Sequence, residues 1–288
     1  MTPFAILLVL TSAGFHVVTH VALKQSRDRS AFVWWMLIWA GVLFLPIPLL
    51  GWTSIPAAGW GLMAFSAVFE AGYFGAIALA YRGADLSLVY PLARGTAPVL
   101  LMLWSIVFLN ETLTPGGVLG ILMITAGLYT VNLSKLGDWR EPLRALRRVG
   151  PRWAVAAGVC TSAYTAIDKV GIDYVPPLLY TYLALWMTVV LLTPWTLRLV
   201  GRTGLRAEVK SSRGGTVLAG FTTLAAYGLV LLAMSRGMPA AYAGALREIS
   251  VVFGAAYGVL VLKEQGGPMR ILGASFIALG AVMIGFLG

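Results

Sequence analysis

The sequence has little charge and almost no cysteine. Charged residues make up 11% of its 288 residues, whereas a typical soluble domain contains about 25%. The single cysteine, Cys160, cannot form a disulfide within the chain or build a thiol-metal site. The sequence also lacks an HExxH motif, a GxSxG motif and a glycine-rich phosphate loop, so it does not favour the corresponding enzyme classes.

Long apolar runs fill the chain instead. Hydrophobic residues make up 59% of the sequence, and the uninterrupted apolar runs have the length of about 20 residues that a helix needs to cross a bilayer. Because every backbone polar group in lipid must be bonded internally, such runs predict an all-α integral membrane protein. The ten predicted transmembrane helices comprise residues 4–24, 31–50, 58–81, 86–109, 115–133, 152–172, 178–198, 214–235, 240–262 and 268–287.

The two halves of the chain repeat one pattern. Arg94 matches Arg247, and Glu111 matches Glu264, at the same offset of 153 residues (247 − 94 and 264 − 111). Five helices per half is an odd number, so the second half must enter the bilayer from the opposite side. We therefore predict two inverted five-helix repeats, which are typical of secondary transporters. The predicted domains are a first five-helix repeat at 4–133, a basic cytoplasmic linker at 134–151 and a second five-helix repeat at 152–287.

The loops carry most of the positive charge, which gives the chain a formal net charge of +10. Lysine and arginine are concentrated in the connections between helices 1–2, 3–4, 5–6, 7–8 and 9–10. Loops of this kind face the cytoplasm, so both termini of a ten-helix chain are predicted to be periplasmic. Because the charge lies in short loops between spans, we attribute it to membrane orientation and expect no nucleic-acid partner.

Ionisable residues also occur inside the predicted spans, where each costs at least about 2.5–3.5 kcal/mol on insertion scales. Three are acidic and three are basic, so the set can neutralise itself. This favours a polar cavity between the halves that binds a charged or zwitterionic solute; structural pairing, or snorkelling near helix ends, is the alternative. The six residues are Glu70, Arg94, Asp168, Lys169, Arg247 and Glu248.

Aromatic residues share helix faces with these charges. A spacing of four places Tyr90 beside Arg94 and Tyr164 beside Asp168. Aromatic rings can hold an ammonium group by cation–π attraction, although belts at the membrane interface also use them. The predicted substrate-binding residues are His20, Glu70, Tyr73, Tyr90, Arg94, Tyr164, Asp168, Trp186, Tyr227, Arg247 and Glu248.

Two histidines, His16 and His20, lie four residues apart on one face of the first helix. Two imidazoles at this spacing can bind a metal ion, but the sequence has no third histidine and only the one cysteine. We therefore expect no metal and no cofactor. Proton titration near neutral pH, or hydrogen bonding within the core, are the remaining interpretations.

The sequence resembles the drug/metabolite transporter superfamily, in the ten-helix group built from two EamA-type repeats. The residues that carry the resemblance are Asn110-Glu111-Thr112, Lys263-Glu264-Gln265, the glycine-rich helices that follow each, Pro98, and the run from Tyr164 to Lys169. The resemblance implies a multi-pass protein of a bacterial inner membrane, in contact with lipid. It also implies export of amino acids, aromatic and other small ones included, by alternating access through a central cavity.

Several alternatives remain open at this stage. Arg94 or Arg247 could bind a substrate carboxylate, or both could act as gates that pair with Glu248 or Asp168. A proton-coupled exporter of drugs or quaternary ammonium cations is the alternative function, with Glu70 or Asp168 as the acid; an intramembrane enzyme is a remote one. The sequence decides neither proton coupling nor formation of a homodimer. Helices five and ten, which are rich in small residues, are expected to pack away from the cavity.

Overall fold

All regular structure in the described part of the chain is helical. The computed structural model describes residues 1–83, 86–131, 133, 135–260 and 267–288, with side chains except at 81–91, 136 and 257–260. The helices are α1 Pro3–Lys24, α2 Arg29–Leu43, α3 Pro46–Gly51, α4 Ala57–Gly83, α5 Leu86–Val107, α6 Pro115–Thr130, α7 Glu141–Ala145, α8 Val149–Gly171, α9 Pro177–Ser235, α10 Ala240–Arg247, α11 Ser250–Leu260 and α12 Pro268–Leu287.

Several helices begin where the sequence provides a capping side chain. Thr2 caps α1, and the hydroxyl of Thr114 caps α6 by accepting a hydrogen bond from Gly117 N at 3.0 Å. The carboxylate of Asp28 caps α2 in the same way, at 2.9 Å from Ala31 N. These side chains bond amide groups that have no partner within the first turn, which fixes where each helix starts.

These helices build ten membrane spans, as predicted. The second span consists of α2 and α3, and the ninth consists of α10 and α11. α9 supplies both the seventh and the eighth spans, because its backbone leaves helical geometry at Gly201 (φ 71°, ψ 169°) and again at Ser212 (φ −125°, ψ 27°). The positive φ at the first of these positions is one that glycine adopts without strain.

Length and composition alone identify six of these spans, since one of the stretches below contains both the seventh and the eighth. Five described stretches are long and apolar enough to cross a membrane, and two further apolar helices are shorter. The chain is thus a multi-pass membrane protein. The five stretches are Pro3–Lys24, Arg29–Gly51, Ala57–Ala80, Pro177–Ser235 and Pro268–Leu287, and the shorter ones are Leu92–Val107 and Pro115–Thr130.

The last helices of the two repeats, α6 and α12, touch through their backbones. A Cβ atom built on Gly120 would lie 2.7 Å from the carbonyl oxygen of Gly280, and one built on Gly127 would lie 2.6 Å from that of Gly273. Residue numbers rise along one helix as they fall along the other, so the helices are antiparallel. The offset of 153 residues converts each contact into the other, as expected for inverted repeats related by a two-fold axis.

The remaining spans pack mainly across the two repeats. α1 and α2 lie against α9, and α4 and α5 lie against α8. The Ser12 hydroxyl donates to Ala226 O at 2.8 Å, and the hydroxyls of Thr19 and Thr222 are 2.7 Å apart. Because lipid chains are as apolar as leucine, close packing and such hydrogen bonds hold the helices together. Each of the two hydrophobic clusters of the bundle thus contains residues of both repeats.

Candidate functional site

The ninth span is interrupted at its charged residues. α10 ends at Arg247 and α11 begins at Ser250. Between them the backbone tightens, and Glu248 N donates to Ala245 O at 3.0 Å, three residues back rather than four. Interrupted helices often carry the binding sites of secondary transporters, since the interruption exposes polar groups within the bundle.

Arg94 of α5 is held from two sides at this interruption. Its Nη1 donates to Glu248 Oε2 at 2.8 Å, and its Nη2 lies 2.6 Å from His20 Nε2. A guanidinium has no acceptor, so His20 must accept through Nε2 and is a neutral imidazole with its proton on Nδ1. The carboxylate partner is 2% exposed and the arginine 18%. The pair therefore lies at the edge of accessible space and joins the two repeats.

The two histidines of α1 differ in their bonding. The rings of His16 and His20 stack with their centroids 6.3 Å apart. His20 keeps exposed surface although it lies inside the bundle, as a residue lining a cavity would. His16 Nε2 is buried and has no hydrogen-bond partner in the described structure. An unpaired buried polar atom costs about 1–3 kcal/mol, and a hydrogen-bond partner such as a water molecule would remove that cost.

Tyr73 completes this group. The hydroxyl of Tyr73 lies within electrostatic range of Arg94, Arg247, Glu248 and Glu70. We refer to the residues gathered at the interrupted helix as the central cluster. Its members are His16, His20, Tyr73, Arg94, Arg247 and Glu248, and five of these six belong to the predicted site. His16 was left out of that set, although its spacing from His20 was the signal that could have included it.

Asp168 of α8 lies in a different environment. Its side chain is completely buried, and its Oδ1 accepts hydrogen bonds from Ser66 Oγ at 2.5 Å and Tyr180 Oη at 2.9 Å. The hydroxyl of Tyr227 donates to Oδ2, and the ring of Tyr164 packs edge-on against that tyrosine at 6.1 Å. We call Ser66, Asp168, Tyr180 and Tyr227 the Asp168 cluster. Three donors from α4 and α9 occupy the carboxylate, so substrate binding by Asp168 stays a prediction.

The other predicted residues are spread around these two groups. Glu70 of α4 is 6% exposed and accepts a hydrogen bond from Thr188 Oγ1 at 2.6 Å. Trp186 of α9 packs over Gly41 of α2, where an added Cβ would lie 2.5 Å from ring atoms of the indole. The indole thus fills the α2–α9 contact. Tyr90 lies among the residues whose side chains are outside the described part of the structure.

Glu111 and Lys169 form a third polar group, which lies at the start of α10. Both carboxylate oxygens of Glu111 accept from Ala240 N, at 3.0 and 2.9 Å. Lys169 Nζ lies 3.9 Å from Glu111 Oε1 and donates to Met234 O at 2.9 Å. The acid that ends the fourth span thus caps a helix of the opposite repeat. Its repeat equivalent, Glu264, lies outside the described residues.

Two cavities adjoin the interrupted span. One of about 10 Å³ lies between α5, α8 and α10 beside Arg247 and Glu248, which is room for a single water molecule. Another, of about 310 Å³, is an apolar groove between α11 and α12 with Arg270 in its lining, and it shares no lining residue with the first. No group of three or more His, Cys, Asp or Glu side chains in the described ranges could hold a metal ion.

Comparison with known proteins places this geometry in context. Residues 3–133 and 148–286 each match the family model of the EamA-like transporter family. A search of curated proteins finds no match. One solved crystal structure superposes with a TM-score of 0.73 at 18% sequence identity, covering 97% of this chain and 96% of the other. At that identity the likeness shows a common fold.

Proposed function

The chain belongs to the EamA-like transporter family, and from this premise we propose that it exports amino acids by alternating access through a cavity lined by the central cluster. Family membership makes it a multi-pass membrane transporter of small molecules. The observation that carries the finer proposal is the Arg94–Glu248 ion pair at the interruption of the ninth span. A second arginine and an unpaired imidazole lie next to this pair.

An amino acid needs separate partners for its carboxylate and its ammonium group. Among the described residues, no acidic side chain lies within ion-pair distance of Arg247. Its guanidinium offers a planar fork that fits a carboxylate, so we assign it to that end of the substrate. Glu70 and the ring of Tyr73 provide an acid and an aromatic face for the ammonium.

Arg94 has a different role in this proposal, because an acid already neutralises it. The ion pair with Glu248 joins α5 of the first repeat to the interrupted span of the second. Movement of one repeat against the other must lengthen or break this contact. We therefore assign Arg94 to gating, so that the pair forms in one access state and separates in the other.

Transport by purified protein in liposomes tests these assignments. Counterflow of a panel of amino acids, with organic cations as a second panel, identifies the substrate class. Arg247→Lys should weaken amino-acid affinity at least tenfold and spare a decarboxylated amine, if the amine is carried. Arg94→Lys should slow every substrate alike with little change in affinity. If both variants kept the transport rate and the affinity of the wild type, a transport role for the two arginines would be excluded.

Export of quaternary ammonium cations in exchange for protons is the second candidate. The observation that favours it is Glu70, a buried carboxylate inside the membrane that can neutralise a cation and carry a proton in turn. Glu70→Gln should then abolish cation transport driven by a pH gradient. Amino-acid transport by the wild type, with no transport of any organic cation in the panel, would exclude the cation exporter.

For orientation, we propose that both termini are periplasmic and that the linker at 134–151 is cytoplasmic, in a bacterial inner membrane. The loop charges support this orientation, and an even number of spans puts both termini on one side. A reporter that is active only in the periplasm, fused after Gly288, should be active. An inactive periplasmic reporter together with an active cytoplasmic one would reverse the topology.

A further inference from the structure

The connection between the seventh and eighth spans is a helical segment with a positively charged face. Residues 202–211 are helical and are bounded by the non-helical Gly201 and Ser212. Within the segment, basic residues recur every four positions, which places them on one face. A fourth basic residue lies two positions beyond its end, and all four side chains are exposed. We call these residues the basic stripe: Arg202, Arg206, Lys210 and Arg213.

The opposite face of the segment is fixed to the protein. Leu205 is 5% exposed, and its carbonyl oxygen accepts a hydrogen bond from Trp35 Nε1 at 2.8 Å. Glu208 is 1% exposed, and its Oε2 accepts from Asp28 N at 2.8 Å, at the start of α2. These contacts hold the stripe outward. They also bury the one acidic residue of the segment on the face away from the stripe.

Apolar surface lies on both sides of the basic stripe. Trp195 and Leu197, near the end of the seventh span, are 45% and 37% exposed. Leu218 and Phe221, near the start of the eighth span, are 49% and 45% exposed. In a membrane these side chains face acyl chains, so the stripe lies at the level where the polar headgroups begin.

We propose that the basic stripe binds the headgroups of anionic phospholipids. The four cations recognise a phosphate, and the neighbouring apolar side chains fit the acyl chains that a free phosphate lacks. When lysine and arginine cluster next to a span, each of these charges raises the affinity for anionic lipid about fivefold. Because the segment is bonded to the start of α2, bound lipid would hold the second, seventh and eighth spans together. This site is independent of the transported substrate.

Native mass spectrometry of the purified full-length protein in detergent tests the proposal. Phosphatidylglycerol and phosphatidylcholine of equal chain length are titrated, and the dissociation constants of the adducts are compared. The wild type should prefer phosphatidylglycerol. R202Q/R206Q/K210Q/R213Q should lose that preference, by about fivefold for each charge removed, and the preference of the wild type should fall as salt is raised. An unchanged preference in this variant would overturn the proposal.

The linker between the repeats provides a matched control with four arginines of its own, all exposed: Arg140, Arg144, Arg147 and Arg148. R140Q/R144Q/R147Q/R148Q should keep the preference, and an equal loss in both variants would show attraction by net charge and overturn the proposal. Glycerol phosphate, added alone, should not compete; if it displaced the lipid, the stripe would be a site for soluble anions. Gel filtration and thermal melting check folding, and R206Q/K210Q replaces the fourfold variant if that variant is misfolded.

Discussion

The central cluster and the Asp168 cluster lie in the same bundle, but their ionisable groups differ in hydrogen bonding and in exposure. Three hydroxyls surround Asp168, which is completely buried. In the central cluster, Arg94 keeps an exposed edge and His16 Nε2 has no partner among the described residues. A buried charge with a full set of donors fixes helices in place. The central cluster leaves polar atoms without a described protein partner or in contact with accessible space, which is why we propose it, and not the Asp168 cluster, as the substrate site.

The largest effect is expected at Asp168. Asp168→Ala leaves three buried hydroxyls without their acceptor, and we expect a loss of about 4 kcal/mol in the free energy of unfolding. Asp168→Asn keeps one acceptor and should lose less. Unfolding in mixed detergent micelles measures both. A loss below about 1 kcal/mol for the alanine variant would show that this cluster does not hold α4, α8 and α9 together.

The ion pair of the central cluster is expected to couple by about 2 kcal/mol. Arg94→Ala and Glu248→Ala each leave one charge uncompensated in the bundle, so the double variant should be no less stable than either single variant. All three should transport at least tenfold more slowly than the wild type. Thermal unfolding of the wild type and the three variants gives the stabilities for a double-mutant cycle. Counterflow gives their transport rates. Strictly additive losses of stability would mean that the two side chains do not interact.

Glu70 is intermediate between the two clusters, since its carboxylate is buried and accepts a hydrogen bond from the hydroxyl of Thr188 at 2.6 Å. Thr188→Val removes that donor with almost no change of shape. We expect a loss of about 1 kcal/mol in stability, well below that of Asp168→Ala. Thr188→Ser, which keeps the hydroxyl, is the control and should stay closer to the wild type. Equal losses for the two variants would point to packing rather than to the hydrogen bond.

The smallest effect on stability is expected at His16. His16→Phe removes a buried atom that has no partner, so the free energy of unfolding should change by less than about 0.5 kcal/mol or rise slightly. Substrate affinity should nevertheless fall at least tenfold. His20→Phe is the comparison, because it removes the contact with Arg94 and should lower stability as well. Wild-type affinity in the His16 variant would remove this residue from the site.

The fold could be predicted because apolar runs and the repeat are visible in the linear sequence. Ten spans and two repeats follow from apolar runs and from residues that recur at a constant offset, as Arg94 and Arg247 do. The contact of α6 with α12 did not follow, because small residues permit close packing without indicating the partner helix. The interruption at Glu248 did not follow, because residues 240–262 are apolar enough to be read as one continuous helix. It depends on tertiary contacts with α1 and α5.

The central cluster is visible in the sequence only in part, for a related reason. A charge inside a span can be recognised from the sequence, so Arg94, Arg247 and Glu248 could be selected as candidates, and substrate binding by them stays a prediction. Ser66 and Tyr180 were missed, since their bonds to Asp168 depend on how distant helices rotate against one another. Glu111 was noted for its match with Glu264, but nothing in the local sequence indicated that it would cap a helix of the opposite repeat.

The backbone contact between α6 and α12 has a consequence for the motion of the transporter. Exchange of the two repeats turns the contact of Gly120 with Gly280 into that of Gly273 with Gly127, so the pair of helices maps onto itself. Alternating access in an inverted-repeat protein amounts to each repeat adopting the other's conformation. Under the alternating access proposed above, we therefore expect the α6–α12 pair to remain stationary throughout the cycle. It would then be the axis about which the other eight spans move.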